Sequence, residues 1–139
     1  MESMATTKIN IQNIGGDQRY VGTNEGGDHL LIDASEDLSL GMRPMEALLT
    51  SLGACSALDV AAILEKRRTP VEEYRVEIEG DRADEHPRRY TRIKVRHVVS
   101  GAGIDEKQLD RAVSLSHEKY CSVHATLNAD IEYEAVLVS

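Results

Sequence analysis

Two cysteines, Cys55 and Cys121, are the side chains best suited to chemistry in this 139-residue chain. A cysteine acts as a nucleophile or a metal ligand only as the thiolate. A free thiol near pKa 8.5 is a few per cent ionised at neutral pH, and burial lowers that fraction. Cys55 falls in the middle of an apolar stretch that reads as a helix, too far from its start to feel the dipole, so a cation must come from elsewhere. Asp59, one turn later, is expected to cap or pair with an interior base. As a close anion it would oppose ionisation of the thiol. With only these residues in view, two buried inert thiols remain the plainest reading. A metal reading stands beside it. His117, Cys121 and His124 are spaced i, i+4, i+7, and Cys55 could complete a tetrahedral zinc set, although no Cys-x-x-Cys is present. In the simpler reading His124 tunes the Cys121 thiol and His117 is a solvated helix residue. His29, His86 and His97 have no evident partner.

The elements that must position these groups follow from pattern. Residues 44–66 read as a long helix, with fourteen of the twenty residues from Met45 to Leu64 apolar. Pro44 suits a first turn, Lys66, Arg67 and Arg68 suit the negative end of the dipole, and Pro70 lies just beyond. The apolar residues cover most of the circumference, which predicts burial on all sides over roughly 33 Å. Glu46, Thr50, Ser51, Ser56 and Asp59 argue against a membrane span. Before the helix, residues 6–14, 18–23 and 29–33 read as strands. They are joined by Gly-rich turns that suit hairpins rather than phosphate binding. Residues 34–42 are polar and irregular. After it, 74–81 and 90–100 read as a hairpin with a charged, solvated tip at 82–89. Residues 105–120 read as an amphipathic helix capped by Asp105, 122–128 as a last helical turn, and 131–138 as a final strand. Three strands, long helix, two strands, helix, strand predicts an α+β fold with a mostly antiparallel sheet.

The chain suits one domain, 1–139. It has no Trp and no Phe, so Leu, Ile, Val, Ala, Met and five Tyr fill the interior. A modest core makes oligomerisation an attractive source of further burial. A net charge of −8 disfavours nucleic-acid binding. Residues 1–10 lack a basic region followed by an apolar run, which predicts a cytoplasmic protein, and two cysteines are too few for a secreted disulfide scaffold.

Two motifs go further. One is P-M-E-x-L-L-x-x-L-G-A-C-x-x-x-D-V-x-x-I-L-x-K at 44–66. The other is H-E-K-Y-C-x-V at 117–123. Together they resemble the OsmC-like superfamily, which includes the organic hydroperoxide resistance proteins, and the P-M-E and E-K-Y-C forms look like its general OsmC-like branch. The resemblance spans nearly the whole chain. It implies an intertwined homodimer with sheets wrapped around long central helices. It also implies that Cys55 attacks a peroxide oxygen, that Cys121 resolves the sulfenic acid as a disulfide, and that an external dithiol, often a lipoyl group, closes the cycle without a bound cofactor or metal. In the peroxide-reducing members the thiolate is held by an Arg of an early strand and a Glu near the helix start. Arg19 matches the first, with Arg43 as a substitute. The Glu position directly after the Pro holds Met45 here, and Glu46 follows one residue later. Glu46 is about two and a half turns from Cys55 on the opposite side of a regular helix, so it could serve only a site across the dimer interface. Those members carry Cys-Pro where this chain has Cys121-Ser122. An apolar pocket of Leu48, Leu52, Tyr120 and Leu127 would favour lipid-like or alkyl hydroperoxides over hydrogen peroxide. Thiol-dependent hydroperoxide reduction in oxidative or osmotic stress is the leading expectation. The alternative is a non-catalytic dimer that binds a small molecule or responds to redox state.

Overall fold

A computed structural model describes residues 5–138. Part of the N-terminal stretch read above, residues 1–4, lies outside them. The fold is α+β, with two three-stranded sheets and three α-helices. The chain divides into two compact units, 1–48 and 49–139.

The first unit is an antiparallel meander, β1 (Asn10–Gly15), β2 (Arg19–Thr23) and β3 (His29–Asp33), in that spatial order. Gly15 and Gly16 have φ of 115° and 64°, a backbone that only glycine adopts cheaply, and this makes the first turn. Residues 34–42 fold back on a buried carboxylate. Asp33 accepts the backbone N–H groups of Ser35 and Leu40 and the Arg19 Nε–H, each at 2.9 Å. The hydrogen bonds from Ser35 and Leu40, with the Arg19 guanidinium, hold its carboxyl well below the usual range. One face of this sheet leaves Ile9, Ile11 and Leu30 exposed.

Helix α1 (Pro44–Lys66) begins as the residue types dictate. Arg43 accepts the Glu46 and Ala47 N–H groups at 3.0 and 2.9 Å, and its own N–H donates to Glu46 Oε1 at 2.9 Å, so Glu46 closes the first turn. The helix ends before Pro70. Arg68 takes a left-handed φ of 63°, Thr69 N–H donates to Leu64 O at 3.0 Å and Arg68 N–H to Glu65 O at 2.9 Å. That is a Schellman stop with arginine where glycine usually stands.

In the second unit, α1 buries one stripe, Leu52, Gly53, Ser56, Val60 and Leu64. The expected burial on all sides is corrected here. Ala54, Ala62 and Leu58, the last 74% exposed, face outward. By length and composition α1 could cross a membrane, and 28% of its most apolar window is buried within the chain. Gly53 lets α1 approach β4 (Glu73–Arg82), because a Cβ there would stand 2.7 Å from Ile78 Cδ1.

Strand β4 pairs antiparallel with β5 (Tyr90–Ser100), and β5 pairs parallel with β6 (Asp130–Leu137). The parallel pair is possible because the connection is long and largely helical. It contains α2 (Glu106–Leu115), the π-helical turn Ser116–Tyr120 and α3 (Ser122–Thr126). Asp105 and Gln108 form a reciprocal capping box at the start of α2. The core joins Val60 and Leu64 of α1, Val99 of β5, Ile104, and Leu109, Ala112 and Val113 of α2. The helix expected over 105–120 is therefore two segments. Its last turn widens by one residue, so that Cys121 N–H donates to Ser116 O at 2.7 Å, and the chain then turns extended at Cys121.

Candidate functional site

Cys55 is half-buried on α1 and Cys121 is buried at the N-cap of α3. Their Sγ atoms and a carboxylate oxygen of Asp59 all lie within 4.8 Å of one another. The widened turn and the break at Cys121 bring this about, because they aim the second sulfur back at α1. Burial pushes the Cys121 thiol up to about 11. The His124 N–H, donating to Cys121 Sγ at 3.4 Å, pulls the other way, and Cys55 and the Asp59 charge add to the rise.

Behind the sulfurs runs a buried polar chain. Ser56, one residue past Cys55, sits in the buried stripe of α1. Its Oγ is 2.8 Å from Ser116 Oγ, 3.1 Å from His117 Nε2 and 3.4 Å from His97 Nε2. Ser116 Oγ–H donates to Asp59 Oδ2 at 3.0 Å. The two imidazoles meet Nε2 to Nε2 at 2.9 Å. His97 Nδ1 is 2.6 Å from the Tyr74 hydroxyl, and His117 Nδ1 is 2.9 Å from His124 Nδ1. Tyr133 stacks on His117 with centroids 4.6 Å apart and donates its hydroxyl to Glu118. Burial lowers His97 to about 4. Burial, then the charges of His97 and His124, lowers His117 to about 3. Burial also lowers His124 and raises Tyr74. The imidazoles are thus neutral at pH 7, and each ring offers one donor and one acceptor. Among the described residues no buried side-chain N or O lacks a partner.

His117 and His97 are corrections. His117 is 5% exposed rather than solvated, and His97, at 0%, has Tyr74, His117 and Ser56 as partners. His97 was legible: it shares the inward face of β5 with Ile93, Val95 and Val99. Ser56 occupies an i+4 position among Leu52, Val60 and Leu64, an equally visible signal. Asp59, expected to cap or to pair with an interior base, instead accepts from the Ser116 hydroxyl. His124 acts on Cys121 through its backbone N–H. The zinc set of Cys55, His117, Cys121 and His124 does not converge, because His117 and His124 turn their Nδ1 atoms on each other.

Beside Asp59 a cavity of about 470 Å³ is lined by Ala62, Ile63, Leu115 and Tyr120, with Lys66 and Arg67 among its walls. Of the expected pocket residues, Tyr120 lines it, Leu52 is buried and Leu127 is half-buried. Leu48, Arg19 and Glu46 belong to the first unit. There Arg19 pairs with Asp33 and donates from Nη2 to Leu38 O at 2.8 Å, and Glu46 closes the first turn of α1.

Comparison with known proteins agrees with this architecture. Residues 35–135 match the family described as OsmC-like protein. The chain is 36% identical over 121 residues to protein YhfA of Escherichia coli (strain K12), covering 84% of this chain and 90% of YhfA. A crystallised protein from Aquifex aeolicus VF5 superposes with a TM-score of 0.79 at 31% identity, covering 98% of this chain and 100% of that one. The organic hydroperoxide resistance protein OhrB of Bacillus subtilis shares the fold, with a TM-score of 0.61 at 18% identity over 96% of this chain and 99% of OhrB.

Proposed function

This chain belongs to the OsmC-like protein family, and from that premise we propose that it is a cytoplasmic, homodimeric thiol peroxidase for organic hydroperoxides. Membership itself supports a redox or stress-related role. The observation that carries the finer reading is the approach of the two sulfurs to within 4.8 Å. In the proposed cycle the Cys55 thiolate attacks the peroxide, an S–O bond forms, the O–O bond breaks, and the organic fragment leaves as an alcohol once protonated. Cys121 then attacks the sulfenic sulfur, an S–S bond forms and water departs. A dithiol, of lipoyl type or similar, reduces the disulfide and is itself oxidised. Arg19, with Arg43 as the substitute, is the proposed activating cation and Glu46 its support across the dimer. The apolar walls of the cavity beside Asp59 suit an alkyl chain. The outward apolar face of α1 and the exposed Ile9, Ile11 and Leu30 support a dimer, since such surfaces are normally covered.

The test is consumption of an alkyl hydroperoxide with a dithiol reductant. Wild type should turn over, Cys55→Ser should lose activity by at least a hundredfold, and Cys121→Ser should stop after one equivalent. A Cys55→Ser variant as fast as wild type rejects the assignment.

A second reading has its own observation. Asp59 lies within 4.8 Å of both sulfurs, and its charge adds to the rise of the Cys121 thiol. A redox-responsive or small-molecule-binding dimer would tolerate that, and would form no disulfide after stoichiometric hydroperoxide.

A further inference from the structure

We propose that the buried chain His124–His117–Ser56–Ser116–Asp59 is a proton conduit between solvent and the paired cysteines. This inference rests on the peroxidase reading and adds to it residues that the reading does not use.

The reaction itself requires a proton to cross. When a thiolate attacks a hydroperoxide, two electrons pass from sulfur to the peroxide and the departing alkoxide needs a proton that the thiolate does not bring. Disulfide closure moves none across the boundary, because the Cys121 proton leaves with the hydroxide as water. When the dithiol restores the pair, Cys55 returns as thiolate and one proton goes out. Each turnover therefore takes one proton in and releases one. An alkyl hydroperoxide filling the cavity beside Asp59 would displace water from that side, so the other side must supply it.

The geometry offers an unbroken path there. Between His124 Nδ1 and His117 Nδ1 the separation is 2.9 Å. From His117 Nε2 to Ser56 Oγ it is 3.1 Å, from Ser56 to Ser116 2.8 Å, and from Ser116 to Asp59 Oδ2 3.0 Å. One arrangement of hydrogens satisfies every link of the path, with the 3.4 Å approach of Ser56 Oγ to His97 Nε2 left without a hydrogen. His124 Nδ1–H donates to His117, and His117 Nε2–H donates to both Ser56 Oγ and His97 Nε2. His97 Nδ1–H then donates to Tyr74, while Ser56 and Ser116 donate in turn toward Asp59. In the reversed arrangement Tyr74 donates to His97, His97 Nε2–H and Ser56 Oγ–H donate to His117 Nε2, His117 Nδ1–H donates to His124, and Ser116 donates to Ser56. The same atoms serve both arrangements, which is the condition for a proton to hop and the path to reset. His124 is half-buried and forms the solvent end, and Asp59 is the end within reach of both sulfurs. A ring as reluctant to hold charge as His117 passes a proton on and does not trap it. The groups that face the path are Tyr74 from β4, His97 from β5, Tyr133 stacked from β6, Cys55 and Cys121 beside Asp59, and Lys66 and Arg67 in the walls of the cavity that Asp59 lines.

Ser56→Ala removes one link and leaves both sulfurs, Asp59 and the imidazoles in place, so it is the variant to test. Oxidation of Cys55 by one equivalent of tert-butyl hydroperoxide is followed by rapid quench and mass spectrometry. It is run in weak buffer, then with increasing imidazole, and repeated in deuterium oxide. Ser56→Ala should react at least tenfold more slowly than wild type in weak buffer and accelerate with imidazole, to which wild type is indifferent. Equal rates for variant and wild type overturn the proposal. So does a slower variant that ignores imidazole and keeps the wild-type solvent isotope effect, because that pattern belongs to a packing defect. Ser116→Ala, the adjacent link, should reproduce the phenotype. If wild type itself is not oxidised, the peroxidase reading fails and the conduit fails with it.

Discussion

Acid should destabilise this protein well before its carboxylates titrate, and the histidine cluster sets the size of the effect. In the folded state His97 and His117 are held at about 4 and about 3. In the unfolded chain both return to about 6.5. A group whose folded pKa is depressed contributes stability that is complete above the unfolded value and is lost as pH falls toward the folded one. The window therefore opens below about pH 6.5. At pH 5 each unfolded ring has gained about 2 kcal/mol by binding a proton, while the folded rings have gained almost nothing, so the pair removes about 4 kcal/mol. That is a large part of a typical stability of about 5–15 kcal/mol. Asp33, also depressed, acts in a lower window, and at pH 5 its effect has not begun. His124 is shifted the same way and deepens the loss. The assay is urea unfolding followed by far-UV circular dichroism at pH 8, 6 and 5, at one fixed protein concentration. With a typical urea slope, the midpoint should fall by about 2 M between pH 8 and 5. His117→Gln should be less stable at pH 8 and show about half the pH dependence. A wild-type midpoint that moves by less than about 0.5 M over that range refutes the buried, neutral assignment of the two rings.

Two further outcomes are expected. In Cys55→Ala, alkylation of Cys121 by iodoacetamide should rise about tenfold per pH unit and keep rising beyond the ordinary thiol value of about 8.5, since burial is the largest cause of its upward shift. A plateau below pH 9 contradicts that account. Arg68→Gly should raise the melting temperature by a few degrees, equivalent to about 0.5–1 kcal/mol, because arginine there holds a positive φ. A lower melting temperature would show that the arginine side chain outweighs its backbone strain.

Much of the fold is legible in the sequence. The expected bounds of α1, β3 and β5 coincide with those observed, because Pro44 and a run of strong helix formers mark the first, the Gly-rich turn before it marks the second, and alternation marks the third. Asp105 caps α2 as its residue type predicts. The direction of β6 was not legible, since a strand's own pattern does not say whether its neighbour runs with it or against it. The polar chain at the site was half legible. His97 and Ser56 stand at inward positions that pattern alone exposes. Their partners lie far along the chain, however: His117 is 61 residues from Ser56, and no local rule brings the two together. The i, i+4, i+7 spacing of His117, Cys121 and His124 misled for a specific reason. It presumes one regular helix, and the chain widens at Ser116–Tyr120 and breaks at Cys121.

That widened turn ties local geometry to register. A π-helical turn holds one residue more than an α-helical turn, and one residue is about 100° of helical rotation. Removing a residue from Ser116–Tyr120 would let the segment relax into ordinary helix while rotating the thiol that follows away from α1. The shortened chain would gain better backbone hydrogen bonds and lose the meeting of its two sulfurs. Local backbone comfort and the meeting of the two sulfurs are set against each other within five residues.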